Sequence, residues 1–122
     1  MVSIDSSMIA VVITKPPHGS LIGKEALDMI LMLCTYEIEV RVFFLLDGVF
    51  QILSHQKTSL LQKKNYIDTF KALKVYGVEH IYVCLSSVLE RNIASDFIID
   101  IELCSIDQIT QILKKSTKVI VY

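Results

Sequence analysis

Apolar residues in this chain come as short unbroken runs separated by stretches of helical period. Residues 8–14, MIAVVIT, are apolar or β-branched and predict a first strand. Lys15-Pro16-Pro17 ends it, since proline has no backbone donor for a ladder, and the segment to Ser20 reads as a loop. Over residues 22–36, Ala26, Leu27, Ile30, Leu33 and Cys34 share one helical face, and Met29, Leu31 and Met32 widen it nearly all round. That pattern predicts a helix buried on more than one side. Residues 40–46 form the second strand. From residue 42 to 46 every position is apolar, which fits a strand buried on both faces, as in a parallel sheet covered by helices.

The run stops at Asp47-Gly48, and residues 47–53 read as the outgoing turn, with Val49 and Phe50 as exposed apolar residues beyond it. Residues 54–59 are polar and loop-like. Over residues 60–76, Tyr66, Ile67, Phe70 and Leu73 face one way and Lys64, Asp68 and Lys71 the other, an amphipathic helix that Gly77 stops. Residues 80–85, HIYVCL, are a third strand. Ser87 to Glu90 has the S-x-x-E pattern of a capping box, which predicts a short helix just after Cys84. Residues 97–103 form a weaker fourth strand, interrupted by Asp100 and Glu102. Ser105 to Gln108 is a second capping box. It opens a helix with Ile106, Ile109, Ile112 and Leu113 inward and Lys114 and Lys115 at the end where cations suit the dipole. Residues 118–122, KVIVY, close the series. Strand and helix alternate throughout. The prediction is an α/β fold, a three-layer α/β/α sandwich with a mainly parallel five-stranded sheet and right-handed crossovers, as a single domain over residues 1–122.

Composition adds one pressure to this picture. Hydrophobic residues make up 52% of the 122 and charged residues 20%, below a usual charged share of about 25%. Part of the apolar excess is expected to be covered by other chains. Twelve basic and thirteen acidic residues give a net charge of -1, which supplies no electrostatic footprint for direct nucleic-acid binding. Lys57, Lys63, Lys64, Lys71 and Lys74 read as a solvated helix face. The longest apolar runs, residues 8–13 and 29–34, fall well short of the roughly 18 residues that cross a bilayer. No Lys or Arg precedes Lys15, so the basic flank of a secretory signal is missing and the cytoplasm is the expected location.

Three segments should meet at the carboxyl ends of the strands, where open α/β sheets do their work: Pro17-His18-Gly19-Ser20, Asp47-Gly48-Val49-Phe50-Gln51 and Cys84-Leu85-Ser86-Ser87. The stretch from Gly19 to Glu25 has three residues between its glycines and Glu after Lys24, so it is not a Walker A loop. No G-x-G-x-x-G fingerprint for a dinucleotide is present. Cys34, Cys84 and Cys104 are odd in number and far apart, which argues against a disulfide framework and a zinc module. His18, His55 and His80 are equally scattered, so no metal site is expected. Cys84 is the candidate nucleophile, placed where a strand gives way to a helix whose backbone donors stabilise a thiolate. His18 or His80 would have to lie within hydrogen-bond reach to form a Cys-His couple. Otherwise Cys84 is a small buried hydrophobe at a strand end, as Cys34 and Cys104 are read to be core residues. His18 and Asp47 read as turn residues, and Phe50 as a contact to another chain.

Pro17-His18-Gly19 followed by Gly23-Lys24-Glu25, then Phe43-Phe44 with Asp47-Gly48-Val49-Phe50-Gln51, then Tyr66-Ile67 with Thr69-Phe70-Lys71, then Val83-Cys84 with Leu89-Glu90-Arg91 form an ordered set. Taken together they resemble the DsrE/DsrF-like family of small sulfur-relay proteins, and within it the DsrF-like subunits. The resemblance implies a cytoplasmic heterohexamer, a dimer of trimers in which this subunit joins a TusB-like and a TusD-like one. Sulfur would arrive as a persulfide from a TusA-like donor and leave through a TusE-like acceptor, for 2-thiolation of the wobble uridine of tRNA, without direct tRNA binding by this chain. In the family the carrier cysteine belongs to the TusD-like subunit, at a place that Cys84 matches, and the DsrF-like subunit supports. The implied role is therefore an interaction subunit with no metal or organic cofactor, and His18, Asp47, Val49, Phe50 and Gln51 as interface candidates. Two alternatives stand beside it: a direct persulfide carrier through Cys84, and a flavodoxin-like small-ligand binder, against which the missing glycine fingerprints weigh. Asn92 stands where related sequences tend to have Gly, and His55 falls in a loop where Gly is usual. Asn also accepts left-handed geometry.

Overall fold

The computed structural model describes residues 7–17, 21–53, 70–93 and 97–122. Along the chain they form β1 (Met8–Ile13), α1 (Ile22–Thr35), β2 (Glu39–Phe44), a 3-10 helix (Leu46–Ile52), β3 (His80–Cys84), α2 (Leu85–Glu90), β4 (Glu102–Cys104), α3 (Ile106–Lys115) and β5 (Lys118–Val121). The five strands make one sheet in the order β4-β3-β2-β1-β5, and every pairing is parallel. The strongest apolar runs, β1 and β2, lie inside it, as two-sided burial requires.

Strand side chains alternate between two apolar layers. Val11, Ile13, Val42, Phe44, Ile81 and Val83 face one side, where Ala26, Leu27, Ile30 and Leu33 of α1 meet them together with Phe70, Leu73, Val78 and Val88. Ala10, Val12, Phe43, Tyr82 and Cys84 face the other, under Ile109, Ile112 and Leu113 of α3. The molecule is thus a three-layer α/β/α sandwich. Phe44 and Phe70, both fully buried, meet edge to face at 5.6 Å, a geometry worth about 0.5–1.5 kcal/mol beyond the area it buries.

Three helical segments end in the same way. Ile38 N–H reaches the Leu33 carbonyl and Glu37 N–H that of Cys34. Val78 and Gly77 repeat the pair on Leu73 and Lys74, and Ile93 and Asn92 on Val88 and Leu89. Each is a Schellman cap with its turning residue at positive φ: Glu37 at 57°, Gly77 at 114° and Asn92 at 50°. Gly77 stops its helical segment as the sequence predicts, and Asn92 takes the left-handed geometry that glycine would.

Two expectations are corrected. The fourth strand is not residues 97–103 but Glu102–Cys104, because Asp100 breaks the apolar run. Its predicted first half turns back instead, with Phe97 bridging Leu53 antiparallel and Ile98 N–H bonding the Ile52 carbonyl. The helix after β3 begins at Leu85, with Cys84 rather than Ser87 at its N-cap. The capping box of Ser105 and Gln108 is formed as predicted. Of the predicted helix over 60–76, only the end from Phe70 lies among the described residues. His55, Lys57, Lys63, Lys64, Tyr66, Ile67 and Asp68 lie outside them. Among the described residues no helix is long and apolar enough to cross a membrane.

Candidate functional site

The exit of β2 is built around a close approach of backbones. A Cβ on Gly48 would stand 1.9 Å from the Ile13 carbonyl oxygen, so only glycine fits there. The same carbonyl accepts from Leu45 N–H at 3.0 Å, and Gly48 N–H bonds the Leu45 carbonyl at 2.9 Å. The chain then coils into the 3-10 helix, whose three-residue repeat turns Val49 and Ile52 into the core together. Gln51 is 1% exposed, and its Nε2 donates to the Lys15 carbonyl at 3.0 Å, fixing the backbone ahead of Pro16.

This arrangement corrects the expected apolar rim. Val49 and Gln51 are enclosed by their own chain, and Phe50 is half-buried against the core. Asp47 stays exposed. The exposed apolar residue is Leu46, at 51%, one position before the turn was expected to begin. It sits at φ 54°, a left-handed conformation that a bulky side chain rarely takes.

Cys84 lies at the exit of the neighbouring strand, 2% exposed, with its Sγ 3.2 Å from Ser86 Oγ. Burial pushes its thiol up, but hydrogen bonds from the hydroxyls and backbone N–H groups of Ser86 and Ser87 outweigh burial and leave it below the ordinary value. Ser87 Oγ in turn accepts from Leu46 N–H at 2.8 Å. Arg91 closes the arrangement: its Nε donates to Asp47 Oδ1 at 2.9 Å and its Nη1 to the Ser87 carbonyl at 3.3 Å. Asp47 and Cys84 are therefore brought to one rim by partners that the sequence did not single out as site residues. The available signal was Ser86-Ser87 in the segment that follows Cys84, of which the sequence reads Ser87 as a cap.

Other candidates fall elsewhere. His18 lies outside the described residues. His80 opens β3 and Cys84 closes it, four residues along an extended strand, about 13 Å apart. His80 Nδ1 meets Glu102 Oε2 at 3.1 Å, and its ring stacks on Tyr82, which also stacks on Phe43 and accepts from Arg41 Nη1. His80 is not the partner of a Cys-His couple. Cys34 is half-buried on α1, and burial raises its pKa. Among the described residues no three His, Cys, Asp or Glu side chains gather as a metal site would require.

A parallel sheet in this order, with a cysteine where an inner strand passes into a short helix, defines a small α/β sandwich protein with a thiol on its strand-end rim. The chain belongs to the DsrE/DsrF-like family, whose family model matches residues 8–122. It is 36% identical over 114 residues to Protein TusC of Buchnera aphidicola subsp. Baizongia pistaciae, covering 92% of this chain and 96% of that protein. Protein TusC of Shigella flexneri is 42% identical over 85 residues, covering 70% and 71% of the two chains. Among solved structures, the ychN protein of E. coli superposes with a TM-score of 0.78 at 21% identity, covering 95% of this chain and 99% of that one. That likeness is one of fold.

Proposed function

We propose that this chain is a TusC-type subunit of a sulfur-relay complex for 2-thiolation of the wobble uridine in tRNA, and that it works by assembly rather than by carrying sulfur. The observation that supports this most is the surface of the rim. Leu46, Leu85 and Leu89 stand exposed on the segments that leave β2 and β3, while the Cys84 side chain beside them is buried. An apolar patch next to an enclosed thiol suits a contact with a sister subunit better than exchange with a soluble donor. In this reading the partners are TusB-like and TusD-like subunits, with two copies of each in a cytoplasmic heterohexamer. A TusA-like donor and a TusE-like acceptor meet that assembly, not the isolated chain.

Co-expression with the two partner subunits, followed by native mass analysis, tests the proposal. The expected species contains all three chains in equal numbers, and after sulfur loading the added mass is on the TusD-like chain. A stable monomer that ignores both partners would overturn it.

A second reading is favoured by the contact of Cys84 Sγ with Ser86 Oγ at 3.2 Å, a hydrogen bond of the kind that holds a thiol below its ordinary value. There Cys84 is itself the persulfide carrier, its thiolate attacking the outer sulfur of a donor persulfide. Cys84→Ser would then abolish thiolation while leaving assembly intact. Full thiolation by that variant removes the second reading and keeps the first.

A further inference from the structure

β3 and β4 run parallel, and their register sets Cys84 directly beside Cys104. Both side chains turn to the same face of the sheet: Cys84 within the apolar layer under α3, Cys104 half-buried against it. Neighbouring strands lie about 4.8 Å apart, which places register partners inside the roughly 4.4–6.8 Å Cα separation that disulfides span. Both thiols are free. Burial and Glu102 push the Cys104 thiol up, and the nearby Cys84 adds to that push, as two thiols at close quarters do. Cys34 packs against the opposite face, with the sheet between it and this pair.

We propose that Cys84 and Cys104 are a redox pair that closes a reversible disulfide across β3 and β4. The oxidant is a small disulfide such as oxidised glutathione, and Cys104, the more exposed thiol, meets it first. The Cys104 thiolate attacks one glutathione sulfur, the sulfur-sulfur bond breaks, and one glutathione leaves as a thiolate. The Cys84 thiolate then attacks the Cys104 sulfur of this mixed disulfide, and the second glutathione leaves. Two cysteine thiols are oxidised, one glutathione disulfide is reduced to two thiols, and the two cysteine protons pass to the leaving groups.

Geometry makes this bond a switch rather than a staple. Side chains in register on parallel strands stand about as far apart as the strands, whereas bridged Cβ atoms need roughly 3.5–4.5 Å. β4 must therefore close in. It is three residues long and lies at the sheet edge, with Cys104 at its end, so it can do so. The bridge forms as β4 shifts toward β3, and a thiol reductant reverses it by the same exchange. Oxidation takes the Cys84 sulfur out of thiol chemistry altogether, whether or not this chain carries sulfur.

The test is incubation of the reduced full chain with oxidised glutathione, read by intact mass, free-thiol titration and disulfide peptide mapping while far-ultraviolet dichroism reports that the fold is kept. The expected product has lost two hydrogen atoms, has gone from three free thiols to one, contains a Cys84–Cys104 linked peptide, and reverts with dithiothreitol. Cys34→Ser should form the same bridge, and Cys104→Ser should form none. A lasting glutathione adduct on Cys104 with Cys84 still free would overturn the pair. So would a bridge that includes Cys34 or joins two chains.

Discussion

Gly48 fails to accommodate even a methyl group because its neighbour is backbone, not a side chain that could rotate away. Gly48→Ala should cost at least about 1–3 kcal/mol, seen as a lower denaturant midpoint at unchanged slope. Ser87 does something different: it links Leu46 N–H to the Cys84 thiol. Because the folded Cys84 titrates below its ordinary value, the fold favours the thiolate. The stability this contributes is present above the unfolded pKa and is lost as pH falls through the lower folded one. Ser87→Ala should raise the Cys84 pKa and narrow that window, measured by thiolate absorbance in a background with Cys34 and Cys104 replaced by serine. Cys84 and the Asp47-Gly48 turn were visible in the sequence because strand ends and turns are written locally. The Ser87 contact was not, since it joins residues 41 apart, and neither was the inward turn of Val49 and Gln51, which depends on a 3-10 coil rather than a simple turn.

Elements show the same division. Ser105 and Ser87 carry the same local cap pattern, yet only Ser105 caps a helix. β3 passes straight into α2 at Cys84, so the helix has already begun when Ser87 is reached, and its hydroxyl serves the neighbouring loop. Ser105→Ala should destabilise the fold by about 1 kcal/mol, visible as a modest drop in melting temperature. Glu37 is a non-glycine residue in the left-handed position of the cap that ends α1. Glu37→Gly removes a penalty of roughly 1–2 kcal/mol and adds part of that back as chain entropy. A net gain of up to about 1 kcal/mol is expected from chemical denaturation. Where the apolar pattern was interrupted, as at Asp100, sequence alone misplaced the strand. The charge shortened β4 to its last residues.

At the scale of the molecule, the strand-and-helix alternation fixed the architecture in advance, since only a two-sided sheet buries runs such as those of β1 and β2. Strand order was not legible, because strands apolar on both faces are interchangeable to a pattern reading. Surface apolarity was anticipated in amount and misplaced in position. Part of it lies on Leu46, Leu85 and Leu89 at one rim, with Leu89 at 66% exposure, and part is spread over Leu21, Tyr36 and Val75 and over Val119 and Val121 of β5. Leu89→Lys, on the open side of α2, should leave the chain's own stability within about 0.5 kcal/mol and weaken assembly with the partner subunits, read by size-exclusion of the co-expressed complex. Unchanged assembly would move the interface off this rim.

β5 closes the sheet on β1, and the seam is tied at both ends: Thr117 to Met8 below, and Tyr122 to Val12 and Thr14 above, across a separation of 108 residues for the Thr14 hydroxyl bond. Synthesis runs in the opposite order to this closure. β1 leaves the ribosome before the other four strands of the sheet, finds β2 on one side, and keeps its other edge open until residues 118–121 have been made. The first of these five strands to emerge is the last to be enclosed, so a nascent chain of this fold carries an inner strand with one open edge through most of its translation.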